Sequence, residues 1–229
     1  VSATAGFRDE YYGLVAACRE WEGEIGDEPN RLLTVGAVEP LATKWGVAPC
    51  RFGRRRWLRP SIDTELLDPK VRSWTERQLQ PKVVLATQSR ILEPVIDRAG
   101  RLVPATPLIA VHAEVDQLDL VAAVLLAPPV VAWAWQRWFG AALAVDALKL
   151  AARQVLELPL PADRTAWAEA ARLIAGHDVT GSVADGWATS REVATIMNAA
   201  YGADRSVLTW WHGRAGTSRA AGPGAAPAR

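Results

Sequence analysis

Five arginines fall within ten residues of RFGRRRWLRP: Arg51, Arg54, Arg55, Arg56 and Arg59. A guanidinium keeps its charge at any physiological pH and offers a fork of donors that matches phosphate, so such a cluster is suited to holding a polyanion. Between Lys44 and Arg101 the chain has thirteen Lys/Arg against six Asp/Glu, a net +7. The first 43 residues hold three Arg against eight Asp/Glu, a net −5. The formal total of +1 therefore hides a polarised molecule, and fields act locally.

Other chemistry is poorly supported. His112, His177 and His212 lie on different segments with no carboxylate or Cys at ligand spacing, so no metal is assigned. Ser89 has no nearby His or acid and no Gly-rich elbow, which speaks against a hydrolase. Two cysteines, Cys18 and Cys50, are too few to staple a secreted scaffold. With no apolar leader at the start, a cytoplasmic location is the expectation. The longest apolar run, Leu120 to Trp135, is short for a bilayer and interrupted by Pro128 and Pro129, so it is expected in a core and not in a membrane. Eleven Trp point to packing before base stacking.

The elements that must position the arginines read as α+β: a small mixed β-sheet with a hairpin, packed by helices, followed by C-terminal helices. Residues 1–35 are acidic, with a short helix around EYYGLVAACREW, and look like a junction segment. Short apolar stretches punctuated by Gly and Pro from Leu33 to Pro60 suggest strands and turns. Asp68 can start a helix that Pro81 closes. PKVVLATQSR reads as a buried strand, Val83 to Thr87, turning polar at Gln88, Ser89 and Arg90.

ILEPVID and RLVPATPLIAVH are two further strands, expected to form a hairpin about a tight Asp97–Gly100 turn. Their prolines, Pro94, Pro104 and Pro107, suit edges or bulges. Asp116 can cap a helix running to about Ala127, and Pro129 the first turn of a second ending at Gly140, with Val131, Trp135 and Trp138 on one face. Asp163 caps a helix carrying Trp167, Ala171 and Ile174. A capping box of Thr189 with Glu192 is expected to start another, with Val193, Ile196, Met197 and Ala200 on its apolar side. These elements divide the chain into a junction (1–35), a central domain (36–161), a helical part (162–212) and a disordered tail (213–229).

Several segments, taken in order, resemble the target-recognition end of class I adenine-N6 DNA methyltransferases of restriction-modification and phage-defence systems. TAGFRDEYYGL is similar to the junction that follows the catalytic domain in that family, and PKVVLATQSRILEPVIDRAGRLVP to its recognition strand and hairpin. VAAVLLAPPVVAWAW resembles the family's helix pair, with Leu126, Ala127, Pro128 and Pro129 where an LNSP pattern is common. LKLAARQVLELPLP and MNAAYGAD, with Trp210 and Trp211, resemble the parts that follow. The resemblance spans most of residues 3–212.

The family's catalytic half carries an Asn/Asp-Pro-Pro-aromatic motif and a Gly-rich loop for S-adenosylmethionine, and neither is present here. Ala127-Pro128-Pro129-Val130 lacks both the amide and the aromatic needed to hold a flipped adenine. The resemblance thus implies recognition of double-stranded DNA without chemistry. The cofactor and catalysis would come from a separate methyltransferase chain or region. Arg51, Arg54, Arg55, Arg56, Arg59 and Lys82 are the expected DNA contacts, mostly to phosphate. Gln88 and Arg90 are placed to read adenine and guanine. Arg8, Tyr11 and Tyr12 are substrate-proximal candidates that packing would equally explain. Two competing readings are that the arginines pair internally with the acidic N-terminal segment, and that the chain is a protein-interaction module or methyltransferase remnant whose exposed Trp residues dock a partner.

Overall fold

The continuous apolar run Val83-Val84-Leu85-Ala86 has no period, and its strand serves two cores at once. In the computed structural model, which describes residues 1–24, 30–86, 89–138, 147–177 and 182–215, all four side chains are fully buried. Alternate residues of a strand point to opposite faces. Val83 and Leu85 accordingly enter one hydrophobic cluster, Val84 and Ala86 the other.

The N-terminal half runs β1 (Ser2–Ala5), α1 (Arg8–Ala17), β2 (Cys18–Glu20), β3 (Arg31–Leu33), β4 (Val38–Glu39), β5 (Ala42–Thr43), β6 (Cys50–Phe52), β7 (Arg55–Trp57) and β8 (Pro60–Ile62). Then come α2 (Pro69–Gln78), β9 (Lys82–Ala86), β10 (Glu93–Asp97), β11 (Leu102–Pro104) and β12 (Ile109–His112). The rest is helical: α3 (Leu118–Leu126), α4 (Pro128–Trp138), α5 (Ala152–Val155), α6 (Arg164–Ala175), α7 (Val183–Ala200) and α8 (Arg205–Ala215). The α+β class expected from the sequence is the one observed.

The first sheet, in the order β1-β12-β9-β10, is antiparallel throughout. The second, β11-β3-β8-β2, is mixed, because β11 runs parallel to β3. The first sheet is a partition. On one side α3, α4, α6, α7 and α8 pack with Val83, Ile96, Ile109 and Val111. On the other, α1, α2 and the second sheet pack with Val84, Ala86, Val95 and Leu108.

Three expectations are corrected. The segments 91–97 and 101–112 do not form a hairpin: β10 pairs with β9, and after Asp97 the chain leaves for the second sheet. The Asp97 carboxylate causes the turn-out, accepting from the backbone N–H of Arg101 at 3.0 Å and of Leu102 at 2.8 Å. Pro94 and Pro104 do sit as edge strands allow, since β10 and β11 each end a sheet, whereas Pro107 lies between β11 and β12, outside any strand. Residues 1–35 are no mere connector, because β1 pairs along its whole length with β12 and Leu14 and Ala17 are core residues.

The C-terminal helices likewise share the first core instead of forming a separate part. Trp167 Nε1 donates to the Leu120 carbonyl (2.9 Å), and Trp211 is fully buried. α7 lies so close to the turn after β4 that a Cβ on Gly186 would stand 2.6 Å from the Pro40 carbonyl oxygen.

The caps follow local chemistry. Asp68 accepts from the N–H of Lys70 and Val71 ahead of Pro69, and Asp163 from Thr165 and Ala166. α7, however, starts at Ser182, which exchanges hydrogen bonds with Asp185, so Thr189 and Glu192 lie inside a continuous helix and not at its start. Asp116 falls in a 3-10 turn just ahead of α3. Residues 213–215, expected in the tail, close α8; the rest of that tail and the expected helix end at Gly140 lie outside the described residues. Among the described residues no single helix is long and apolar enough to cross a membrane. α3 and α4, which carry the apolar run, are bent 63° apart (Val115–Leu126 against Pro128–Trp138) and packed in the core.

Candidate nucleic-acid interface

Four of the five clustered arginines are displayed by one short hairpin. β6 and β7 pair in the register Cys50 with Trp57, Arg51 with Arg56, and Phe52 with Arg55. The two-residue loop between them, Gly53 and Arg54, has φ of +56° and +65°. Two positive φ values in succession mark the type I′ turn, whose twist suits a tight hairpin. Cys50, Phe52 and Trp57 are buried, while Arg51, Arg54, Arg55 and Arg56 are exposed.

The buried face fixes the hairpin to the body. The Trp57 indole N–H donates to the Phe52 carbonyl at 3.0 Å, and the Arg55 guanidinium covers the same indole at 4.5 Å from its centroid. Phe52 meets the edge of Tyr11 at 5.2 Å. Tyr11 meets Tyr12 at 5.4 Å, and Arg8 lies over the Tyr12 ring at 5.7 Å. The chain of contacts Arg8–Tyr12–Tyr11–Phe52 therefore brings all three substrate-proximal candidates next to the arginine hairpin. Tyr11 serves packing there, whereas Tyr12 is 59% exposed.

Arg51 and Arg56 face each other directly across the hairpin. Like charges placed opposite one another destabilise a strand pair. Among the described residues no carboxylate forms an ion pair with Arg51, Arg54, Arg55 or Arg56. Arg54 also occupies a left-handed conformation that costs a residue with a Cβ about 1 kcal/mol or more. Repulsion and backbone strain are thus accepted at a spot where positive charge is exposed.

Arg59 differs from the other four. It is half-buried, its guanidinium donates to the Gly23 carbonyl at 3.3 Å, and its backbone N–H, with that of Leu58, donates to the Glu20 carboxylate. Its guanidinium thus rests on a backbone carbonyl of the acidic segment, and among the described residues it forms no ion pair with a carboxylate there. Arg59 anchors the exit of the hairpin.

Lys82 is corrected outright as a DNA contact. Its side chain is 0% exposed, and Nζ donates to Asp97 at 2.5 Å and to the Gln80 carbonyl at 3.2 Å. Burial pulls its pKa down and the Asp97 charge opposes that. A strand running between two cores leaves a lysine at its first residue no route to solvent. Gln88 lies outside the described residues. Arg90 is half-buried beside α4, where its backbone carbonyl accepts from Trp135 Nε1 at 3.1 Å. It is anchored to the helical core and the hairpin to the other one.

The remaining candidates are structural. None of the eleven Trp is an exposed residue, and Arg31, Arg55, Arg137, Arg164, Arg191 and Arg214 stack over seven of them, which removes the basis for Trp-mediated docking. Ala127, Pro128 and Val130 are buried at the α3–α4 junction. Ser89 Oγ is buried and donates to the Ile91 carbonyl. His177 contacts the Leu41 carbonyl and the Thr189 hydroxyl. Among the described residues no three His, Cys, Asp or Glu side chains gather as a metal site.

The sequence pointed to the arginines but not to what holds them. Gly53, Phe52 and Trp57 do that, and the signal was the Gly-Arg pair between CRF and RRW, where charged and apolar residues interleave. No protein-family model matches this chain, and no curated protein matches it.

Proposed function

We propose that this chain is a target-recognition module that binds double-stranded DNA through the β6–β7 hairpin, serving an S-adenosylmethionine-dependent adenine-N6 methyltransferase whose catalytic part it does not contain. One observation carries the DNA reading: four exposed arginines on one packed hairpin, two of them opposed, with no carboxylate in an ion pair with them among the described residues. A duplex supplies phosphate oxygens at a density that relieves this repulsion, and contacts of that kind give affinity and register. The methyltransferase assignment rests on the ordered resemblance of segments from TAGFRDEYYGL to MNAAYGAD.

The test is a binding titration of the whole chain against a 20-base-pair duplex. Wild type is expected to bind with a Kd between about 10 nM and 10 µM at moderate salt. The variant R51E/R54E/R56E, which alters only exposed positions, should lose at least about tenfold in affinity while keeping its circular dichroism. Equal binding by a folded variant would refute the hairpin as the contact.

One observation favours the protein-interaction alternative. An apolar cleft of about 540 Å³ is lined by Val121, Val124 and Leu125 of α3 with Leu156, Leu158 and Leu160, and Leu156 and Leu160 are exposed. Such a cleft suits an apolar partner segment. If L156E/L160E abolished a protein partner's binding while DNA affinity in wild type proved absent, that alternative would stand in place of the DNA reading.

A further inference from the structure

A free-standing two-stranded ribbon can enter the major groove, which is about 12 Å wide and 8.5 Å deep. This hairpin is not free-standing. Its strands have three residues each, its inner face is taken up by Cys50, Phe52 and Trp57, and its tip rests on α1, where a Cβ on Gly53 would come within 2.7 Å of Val15 Cγ1. The hairpin is seated on the body by its inner face and tip, and its exposed residues are the four arginines. Arg54 stands at the tip, and Arg51 and Arg56 lie opposite each other behind it on the outer face.

Resting on the duplex-DNA reading of this same hairpin, the geometry points to the minor groove: Arg54 enters a narrow, A·T-rich minor groove while Arg51 and Arg56 take phosphates beside it. A single arginine side chain on a hairpin seated against the body fits an opening about 6 Å wide, whereas a ribbon does not. A·T-rich tracts narrow that groove and deepen its negative potential, and inserted arginines read this as shape. Cross-strand partners at a position without ladder hydrogen bonds have Cα atoms only about 4.5 Å apart, so Arg51 and Arg56 must splay, as contacts to phosphates on either side of Arg54 require. Arg54 is exposed in the two-residue loop, and its left-handed backbone is one that glycine would adopt more easily.

The test measures anisotropy of the full chain with four duplexes of equal length whose central tract is A·T, G·C, inosine·C or double-stranded RNA. Inosine·C keeps the major-groove pattern of G·C and removes only the minor-groove amino group. The inference expects A·T and inosine·C to bind alike and about tenfold tighter than G·C, roughly one base-edge contact. Netropsin should compete, and RNA, whose minor groove is wide and shallow, should bind more weakly. Arg54→Gly, whose backbone suits its position, should erase the preference, whereas R51Q/R56Q should weaken all DNA duplexes by a similar factor. If inosine·C tracks G·C, if netropsin has no effect, or if RNA binds as well as A·T DNA, the minor-groove assignment is overturned and general DNA binding survives. If no duplex binds, both readings fall together.

Discussion

Arg54 condenses the trade between stability and binding into one residue. Its φ of +65° is a conformation that glycine adopts freely and arginine does not. Relief of that strain is worth about 1–2 kcal/mol, offset by the greater backbone freedom glycine gives the unfolded chain, about 0.4–1 kcal/mol. Arg54→Gly is therefore expected to leave stability unchanged or raise it by up to about 1.6 kcal/mol while weakening DNA binding. Urea denaturation alongside the titration checks both, and a clear loss of stability would mean that the guanidinium has an internal structural partner. Lys82 is the opposite case, a charge committed to Asp97 in the buried interior. Composition alone does not separate the two, because both are cations near strand ends.

Between elements, the hairpin depends on its seat against α1. Gly53 combines φ +56° with a contact that admits no Cβ. Gly53→Ala should cost about 1–3 kcal/mol and weaken DNA binding by displacing Arg51 and Arg56, and G53A/V15A should restore part of both. Unchanged melting and affinity in Gly53→Ala would contradict this seating. Helices with an Asp cap, such as α2 and α6, were legible in the sequence because a cap is decided within four residues. Strand pairing was not, since Glu93–Asp97 chooses β9 over β11 through the Asp97 turn-out, and β4 to β8 are two or three residues long. The Thr189–Glu192 box was misplaced because Ser182 and Asp185 carry the same pattern seven residues earlier.

At the scale of the whole molecule, the first sheet divides two cores, and the charge polarity visible in the sequence persists as an exposed basic hairpin. The sequence marks the patch but not its seating on the body, which comes from the packing of Phe52, Trp57 and Val15. Acid stability is a property of this whole. Burial, then the Lys82 charge, lowers the pKa of His112; burial, then Arg191, lowers that of His212. The unfolded chain, with histidines near 6.5, takes up protons first as pH falls. Their contribution to stability is complete above about pH 6.5 and is lost as pH falls through the depressed folded values. Urea midpoints at pH 7.5 and 5.5 should show the protein weaker at 5.5, and H112Q/H212Q should flatten the difference. A protein that gains stability on acidification over that range would contradict these environments.

The salt dependence of duplex binding tests the central claim most directly, because it counts phosphates neutralised. Plotted as log K against log salt, wild type should fall steeply, and removing Arg51, Arg54 and Arg56 one at a time should make the slope shallower by about 0.9 for each phosphate no longer neutralised. A flat wild-type line, or a slope that all three removals leave intact, would contradict a DNA-contacting arginine hairpin.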